Sequence, residues 1–444
     1  MPMKNLKANV ILLLLICMSI ATTHIQCMNE TQDFVTQHDG RLWLDGTEYR
    51  YIGANLWYGA ILGSEGQGGD RQRLCRELDD LHRMGIDNLR IVVGSDGTGE
   101  ESYRAVPTLQ TSPTVYNDTL LAGLDYLLQQ MGQRQMKAVL YLNNSWAWSG
   151  GYTFYLIHAG CGTPPDQNDD GYTAYTAYAA QFSKNKEAQQ LFLRHVKHIV
   201  SRTNRYTRQR YADDPTIMAW QIGNEPRAFC DTLKNEFATW LSETSALIRS
   251  LDPNHLISTG CEGIWGCNGD EALHRRICQD PNIDYVTAHI WPVNWSWAKS
   301  DSLAEMLPAA CSKTTDYIDR HVALCREIGK PLVIEEFGYP RDGYSFSPKA
   351  TTLSRDAFLS HILKAVTADK TIAGCNFWAW GGEAEARHEM WQPGDPVMGD
   401  PPQEPQGLYS VFGSDTTTCR LLQNMAREVQ GSSGHPSAVQ LMGR

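Results

Sequence analysis

The chain has 444 residues, a formal charge of −11 and a pI of about 5.6. An acidic chain without a Lys/Arg cluster offers no electrostatic footprint for a polyanion, which excludes nucleic acid as an expected partner. The length exceeds most single domains, yet one α/β barrel with insertions can exceed about 400 residues and bury a large core without staples.

The N-terminus has the pattern of an export signal. Lys4 and Lys7 precede an apolar run over residues 10–21, and small residues follow it. The run is short for a bilayer span, so residues 1–27 are expected to be a cleaved secretory signal and the protein to be extracellular. Cys17 and Cys27 leave a lipid anchor, at the cell surface or in a periplasm, as the alternative. Residues 28–430 are expected to form one catalytic domain, acting as a monomer, and residues 431–444 a mobile tail.

In chain order, residues 41–46 read as a hairpin turning on Asp45-Gly46 and placed to plug a barrel floor. Apolar runs at 49–53, 88–93, 137–142, 217–223, 256–260, 285–291, 331–337 and 374–380 read as strands. Helical periodicity separates them at 70–84, 119–135, 185–205, 234–251, 314–328 and 353–368, weakly at 270–277, and follows them at 418–429. Eight alternating strand–helix units predict an α/β fold closed as a (β/α)8 TIM barrel with extended loops, since right-handed crossovers bury each strand on both faces. An open doubly wound sheet would need a Gly-rich phosphate turn after its first strand, which is absent. The connections 143–183 and 392–405 read as long loops over the site.

The chemistry concentrates at two strand ends. Trp220-Gln221-Ile222-Gly223-Asn224-Glu225-Pro226-Arg227 follows the fourth strand, and Val333-Ile334-Glu335-Glu336-Phe337-Gly338 ends the seventh. Barrel enzymes present catalytic groups at this C-terminal mouth. Two carboxylates meeting there are the equipment for cleaving a glycosidic bond, one protonating the leaving oxygen and the other attacking the anomeric carbon. Glu335 precedes Glu336 on one strand, so its side chain is expected on the opposite face. Thirteen Trp and 19 Tyr are many for this length and suit the apolar faces of sugar rings.

Asn224-Glu225-Pro226 after one strand and Glu336-Phe337-Gly338 ending another resemble the signatures of retaining glycoside hydrolases of family 5. Residues 113–151, Asp214-Pro215-Thr216-Ile217-Met218-Ala219-Trp220 and His289-Ile290-Trp291-Pro292 resemble its endo-β-1,4-mannanase branch, and the likeness runs over residues 39–429. The resemblance implies Glu225 as acid/base and Glu336 as nucleophile, with Glu225 protonated in the free enzyme by the nearby negative charge. It implies Arg90 as the partner that keeps Glu336 ionised, Asn224 on the sugar's 2-hydroxyl and His289 steadying the carboxylates. Trp378 would lie beneath the sugar and Arg227 on the leaving-group side. Trp57, Asn143, Trp146 and Trp295 are further subsite candidates. Trp291 stands where the family commonly has Tyr, and it can donate a hydrogen bond but not accept one. The implied function is a retaining endo-β-1,4-mannanase. The alternatives are another family 5 glucanase, an exo-acting mannosidase, or a non-catalytic sugar-binding barrel.

The chemistry requires no cofactor or metal, and no Cys-x-x-Cys or His-x-x-x-His pair in a supportive context suggests zinc. Export permits disulfides among the ten cysteines from Cys75 to Cys419. Cys261 and Cys267 are close enough to close a loop, with Cys230 or Cys278 as nearby alternatives. Asn117 and Asn294 head glycosylation sequons.

Overall fold

The computed structural model describes residues 34–167 and 169–433. The segment expected to be a signal, residues 1–27, and residues 434–444 of the expected tail lie outside the described residues.

Eight parallel strands form the core: β1 Tyr51–Asn55, β2 Asn88–Val92, β3 Lys137–Tyr141, β4 Ile217–Gln221, β5 Leu256–Ser258, β6 Val286–Ile290, β7 Leu332–Phe337 and β8 Ile372–Phe377. They are ordered β5-β4-β3-β2-β1-β8-β7-β6. The seam between β5 and β6 closes through other bonds. Asp284 N donates to Ile257 O at 2.8 Å, Ile257 N to Asp284 Oδ2 at 2.7 Å, and His289 N to Glu262 O at 3.1 Å. The barrel expected from the sequence is therefore present, with each strand shifted by at most a few residues.

Helices α1 Arg71–Arg83, α2 Asp118–Gln133, α3 Lys186–Val200, α4 Lys234–Leu251, α5 Glu271–Cys278, α6 Leu303–Ile328, α7 Leu353–Ala368 and α8 Thr416–Ser433 surround the strands. Asp70, Asn117, Asn185 and Asp270 cap four of them by accepting backbone N–H groups of the first turn. Asn117 is thus occupied as a cap. Among the described residues no helix is long and apolar enough to cross a membrane.

The hairpin Arg41–Leu44 and Thr47–Glu48 does plug the floor. Leu42 and Leu44 pack with Val139, Met218, Leu256 and Val333 inside the barrel. Halfway up, β1 carries Gly53 because a Cβ there would lie 2.4 Å from both Asn88 O and Asn376 Nδ2. That close approach draws β1, β2 and β8 together beneath the mouth.

Three expectations need correction. The 143–183 connection contains helices Gly151–His158 and Tyr172–Ala179. The first is apolar nearly all round and largely buried, so it shows no polar face to read as periodicity. Helix α6 begins at Leu303, eleven residues before the expected start, because Pro308 is tolerated inside it. The ten cysteines from Cys75 to Cys419 are all free, so Cys261 and Cys267 are not joined. They lie within hydrogen-bonding reach of each other, which with burial pushes the Cys267 thiol well up.

Candidate active site

Arg90, on β2, is the hub of the barrel mouth. It is fully buried and rests over the Tyr141 ring at 4.5 Å. Its Nη1 donates to Glu336 Oε1 at 2.5 Å and Asn55 Oδ1 at 3.1 Å, its Nη2 to Asn224 Oδ1 at 2.8 Å, and its Nε to Gln221 Oε1 at 2.8 Å. One guanidinium fork on β2 thus fixes side chains from β1, from β4 and the turn after it, and from β7.

Glu225 follows β4 with φ 48°, in the left-handed region. A non-glycine residue pays about 1–2 kcal/mol there, and such strain collects at functional sites. The surroundings enforce it. Glu225 N donates to Gly260 O at 2.9 Å, and Gly260 (φ 74°) allows that approach because a Cβ would lie 1.9 Å from Gly223 O. The side chain accepts the indole N–H of Trp146 on Oε2 and faces His289 Nδ1 at 2.9 Å on Oε1.

Glu336 lies opposite. His289 Nδ1 stands 3.3 Å from its Oε2 and bridges the two carboxylates. One carboxylate oxygen of each glutamate and a ring nitrogen of His289 all lie within 4.8 Å of one another. That spacing alone would suit a cation, but Arg90 already neutralises Glu336, and the cluster has the composition of a proton-handling site.

Glu335 was expected on the outer face and is not there. Val333 points inward with the barrel-floor cluster, so ordinary alternation carries Glu335 inward too. A bulge in the β6–β7 ladder then pairs Ala288 with Ile334 but His289 with Glu336, so Glu335 has no partner. The extra residue turns Glu336 inward as well, and bulges beside active sites commonly re-aim a side chain in this way. Glu335 is 1% exposed, accepts Gln221 Nε2, and lies 3.7 Å from Arg90 Nε.

The protonation pattern also differs from expectation. Burial pushes Glu225 upward, but the hydrogen bond and charge of His289, the charge of Arg227 and the Trp146 N–H outweigh it and hold the carboxyl below its usual range. Burial would make His289 neutral, but the charges of Glu336, Glu225 and Glu335 raise it well above an ordinary histidine. His289 stands between the glutamates, as the resemblance implied, but nothing in the sequence marked it as the group that carries the proton. The proton expected on Glu225 is held by His289, one hydrogen bond away, and the two groups titrate as a unit.

Above these groups opens a cleft of about 540 Å³, into which Asn224, Glu225, Glu336, Arg227, Trp146, Trp291, Trp295 and Trp378 all project. Trp57 and Asn143 do not line it. Trp57 is 1% exposed, donates to Gly399 O at 2.9 Å and packs edge-on against Trp148 at 5.5 Å. Asn143 accepts Asn144 N on its side chain and Asn224 N on its carbonyl, so it supports the site from behind. Trp291 packs against Trp378 and Tyr409 with ring centres 6.1 and 5.0 Å apart.

Several cleft groups escaped the sequence reading. Glu262 forms a two-point ion pair with Arg227, and Arg227 Nη1 also reaches Tyr172 Oη at 3.3 Å. Burial, with the Glu225 charge against the Arg227 charge, pushes Glu262 up to about 7. Trp265 stacks on Trp295 at 4.6 Å and is 38% exposed. Asn294, already marked by its sequon and its place near the sixth strand, does line the cleft and accepts the Tyr409 hydroxyl at 3.0 Å, so a glycan there would obstruct it. Glu404 brings a carboxylate whose Oε2 has no hydrogen-bond partner. Burial raises it, with the charges of Asp400, Glu336 and Glu225. No strand pattern marks the missed loop residues; of them Glu262 alone carried a cue, because it closely follows β5.

A parallel barrel presenting two glutamates, a buried arginine and aromatic walls at its C-terminal mouth defines a glycoside hydrolase. The chain belongs to glycoside hydrolase family 5: residues 32–433 match the family described as GH family 5 beta-mannosidase-like. It is similar to the crystal structure of a family 5 mannosidase from Rhizomucor miehei, at 32% identity and a TM-score of 0.84, covering 91% of this chain and 99% of that one. It is 28% identical over 361 residues to mannan endo-1,4-beta-mannosidase 7 of Arabidopsis thaliana, covering 78% of this chain and 77% of that protein. It is also 28% identical over 439 residues to mannan endo-1,4-beta-mannosidase 1 of Oryza sativa subsp. japonica, covering 94% and 92%.

Proposed function

We propose that this enzyme hydrolyses internal β-1,4-mannosidic bonds of mannan, glucomannan or galactomannan with retention at the anomeric carbon. The observation that carries the reading is the approach of Glu225 and Glu336, with carboxylate oxygens within 4.8 Å. Retaining pairs stand about 5–5.5 Å apart, whereas inverting pairs leave about 6.5–9.5 Å for a water. The names of the plant relatives support mannan as the substrate.

In the first step Glu336 attacks the anomeric carbon as the glycosidic bond breaks, and Glu225 passes its proton to the leaving oxygen. That proton comes from the pair Glu225 forms with His289 at 2.9 Å. In the second step ionised Glu225 takes a proton from water, the water oxygen attacks the same carbon, and the bond to Glu336 breaks. Asn224, oriented by Arg90 at 2.8 Å, is placed to hold the 2-hydroxyl of the sugar between the carboxylates.

One observation favours a second reading, action at a chain end. Pro401, Gln403 and Glu404 enter the same cleft as Glu225 and Glu336, and the half-buried Glu404, whose Oε2 is closed to solvent, would meet any sugar running past them. Incubation with galactomannan, carboxymethylcellulose and mannobiose tests both. A rapid fall in galactomannan viscosity with short oligosaccharide products is expected. Release of mannose alone, with viscosity unchanged, would favour chain-end action, and cutting of the cellulose derivative alone would sink the mannan assignment. Export is the route we propose for an enzyme of polymeric substrates, and N-terminal sequencing of the mature protein checks it.

A further inference from the structure

Two buried polar atoms at the base of the site lack hydrogen-bond partners, and they face each other. His289 Nε2 and Glu335 Oε2 lie 3.8 Å apart and neither has a hydrogen-bond partner; Arg90 Nε stands 3.7 Å from Glu335 Oε2 but directs its N–H to Gln221 Oε1. Both side chains are closed to solvent, at 0% and 1% exposure. A buried polar atom left unpaired costs about 1–3 kcal/mol, so two of them aimed at each other call for an explanation.

The other nitrogen of the same ring explains the arrangement. His289 Nδ1 is committed to Glu225 Oε1 at 2.9 Å and Glu336 Oε2 at 3.3 Å. Neither carboxylate can donate to it when ionised, so Nδ1 must carry a proton to serve them. A neutral imidazole with its proton on Nδ1 would then aim the Nε2 lone pair at the Glu335 carboxylate, which is repulsive. An imidazolium aims an N–H there instead. Glu335 Oε1 is already held by Gln221 Nε2, and Gln221 is tied to Arg90 Nε, so the carboxylate is anchored from the side away from the histidine.

We propose that Glu335 is a positioning residue for the reaction: its carboxylate faces His289 Nε2 and keeps a proton on that nitrogen, so that Nδ1 remains the donor shared by Glu225 and Glu336. The bulge that brings both Glu335 and Glu336 to the inner face is the structural device that makes this possible. The proposal rests on the catalytic reading of Glu225 and Glu336. Glu335 touches neither substrate nor reacting atoms; it acts through His289.

The charged and titratable groups around the pair come from several elements. Glu335 is faced by Arg90 on β2 at 3.7 Å, by Tyr51 on β1 and by Tyr285 just before β6. His289 is faced by Glu225 after β4, Glu262 after β5 and Glu336 on β7. Glu335 is the only carboxylate among these on the Nε2 side. Removing its charge while keeping its shape loosens the proton on His289, and the Glu225–His289 pair then empties at lower pH.

The test is Glu335→Gln in the full chain, with kcat/KM on galactomannan followed across pH. The alkaline limb is expected to move to lower pH by about one unit, the effect of one charge at this range. On the acid side of the alkaline limb the variant is expected to keep much of its kcat. A uniform fall in kcat with both limbs unmoved means a purely structural role and overturns the proposal. Should Glu335→Gln not fold, Glu335→Asp keeps the charge and should restore the wild-type limb. The 15N shifts of His289 in the wild-type protein, assigned against His289→Gln, give a reading independent of activity. Protonation of both nitrogens at the pH of maximal activity is expected, and a bare Nε2 overturns the proposal. Wild-type protein inactive on mannobiose and galactomannan alike would mean that the catalytic reading itself has failed.

Discussion

Arg227 and Glu262 form a buried two-point ion pair on the cleft wall, with Glu225 close enough for its charge to act on Glu262. Glu262 sits at about 7, raised by burial and by Glu225 and lowered by Arg227. Below that pH Glu262 is neutral and its grip on the guanidinium loosens, so Arg227 can donate to a sugar hydroxyl on the leaving-group side. Above it the ion pair takes up the same N–H groups. KM for mannotriose is therefore expected to rise about tenfold as pH passes through 7, roughly one charge-assisted hydrogen bond. An aryl β-mannoside has no second sugar and should show no such rise. Glu262→Gln should hold the low KM at every pH; a KM that still rises in that variant would assign the effect elsewhere.

Arg90 is not replaceable by another cation. Its fork meets Glu336, Asn55, Asn224 and Gln221 at 2.5 to 3.1 Å from a fully buried position. A lysine ammonium is a compact donor and cannot span those four acceptors. Arg90→Lys should therefore let Glu336 and Asn224 shift, and misplacement of about 1 Å costs about 10²-fold. We expect kcat on an aryl β-mannoside to fall by about that factor and thermal stability to fall with it. A variant within twofold of wild type would show that the charge alone suffices.

The architecture was legible in the sequence because each barrel strand is a short apolar run buried on both faces and separated from the next by a helix with its own period. The pair Glu225 and Glu336 was legible because each closes such a run. Glu335 was misplaced for a local reason. Alternation is a rule about regular strands, and the bulge between Ala288 and His289 breaks it where the chemistry sits. Glu404 and Trp265 were not legible because they reach the cleft from loops, where no periodicity reports direction. Trp57 misled in the opposite sense, since a tryptophan after a strand looks the same whether it meets a sugar or Gly399 O.

Asp96 supplies a pH test of stability away from the catalytic pair. Burial raises it from 3.8 to about 7, against hydrogen bonds from Gln110 and Tyr155 and the charge of Arg104. The folded protein therefore binds this proton more tightly than the unfolded chain. Stability is fully present below the unfolded value near 3.8 and is lost as pH rises toward about 7, where it levels off. At about 1.4 kcal/mol for each tenfold difference in affinity, the loss amounts to a few kcal/mol at most. Urea unfolding at pH 4.5 and pH 8 measures it. Asp96→Asn should narrow the gap between the two, and an unchanged gap would remove Asp96 as a contributor.

The division of labour between the two glutamates makes the sharpest prediction. In the proposed mechanism Glu336 forms a bond to the sugar, so Glu336→Ala removes the covalent route and should abolish turnover of every substrate. Glu225 only moves protons, and general acid–base catalysis is worth about 10²–10⁴-fold. A leaving group that departs without protonation does not need the first transfer. Glu225→Ala should thus still form the intermediate from 2,4-dinitrophenyl β-mannoside and then stall, because nothing activates water. Azide needs no base, and the space left beside His289 and Trp146 admits it, since both contact Glu225 directly. Added azide should restore turnover in Glu225→Ala and give β-mannosyl azide, the retained product. In Glu336→Ala it should give either nothing or the α-azide, by direct displacement. Rescue of Glu336→Ala with the β-product, or equal loss in both variants on activated substrate with no azide effect, would reverse or dissolve the assignment.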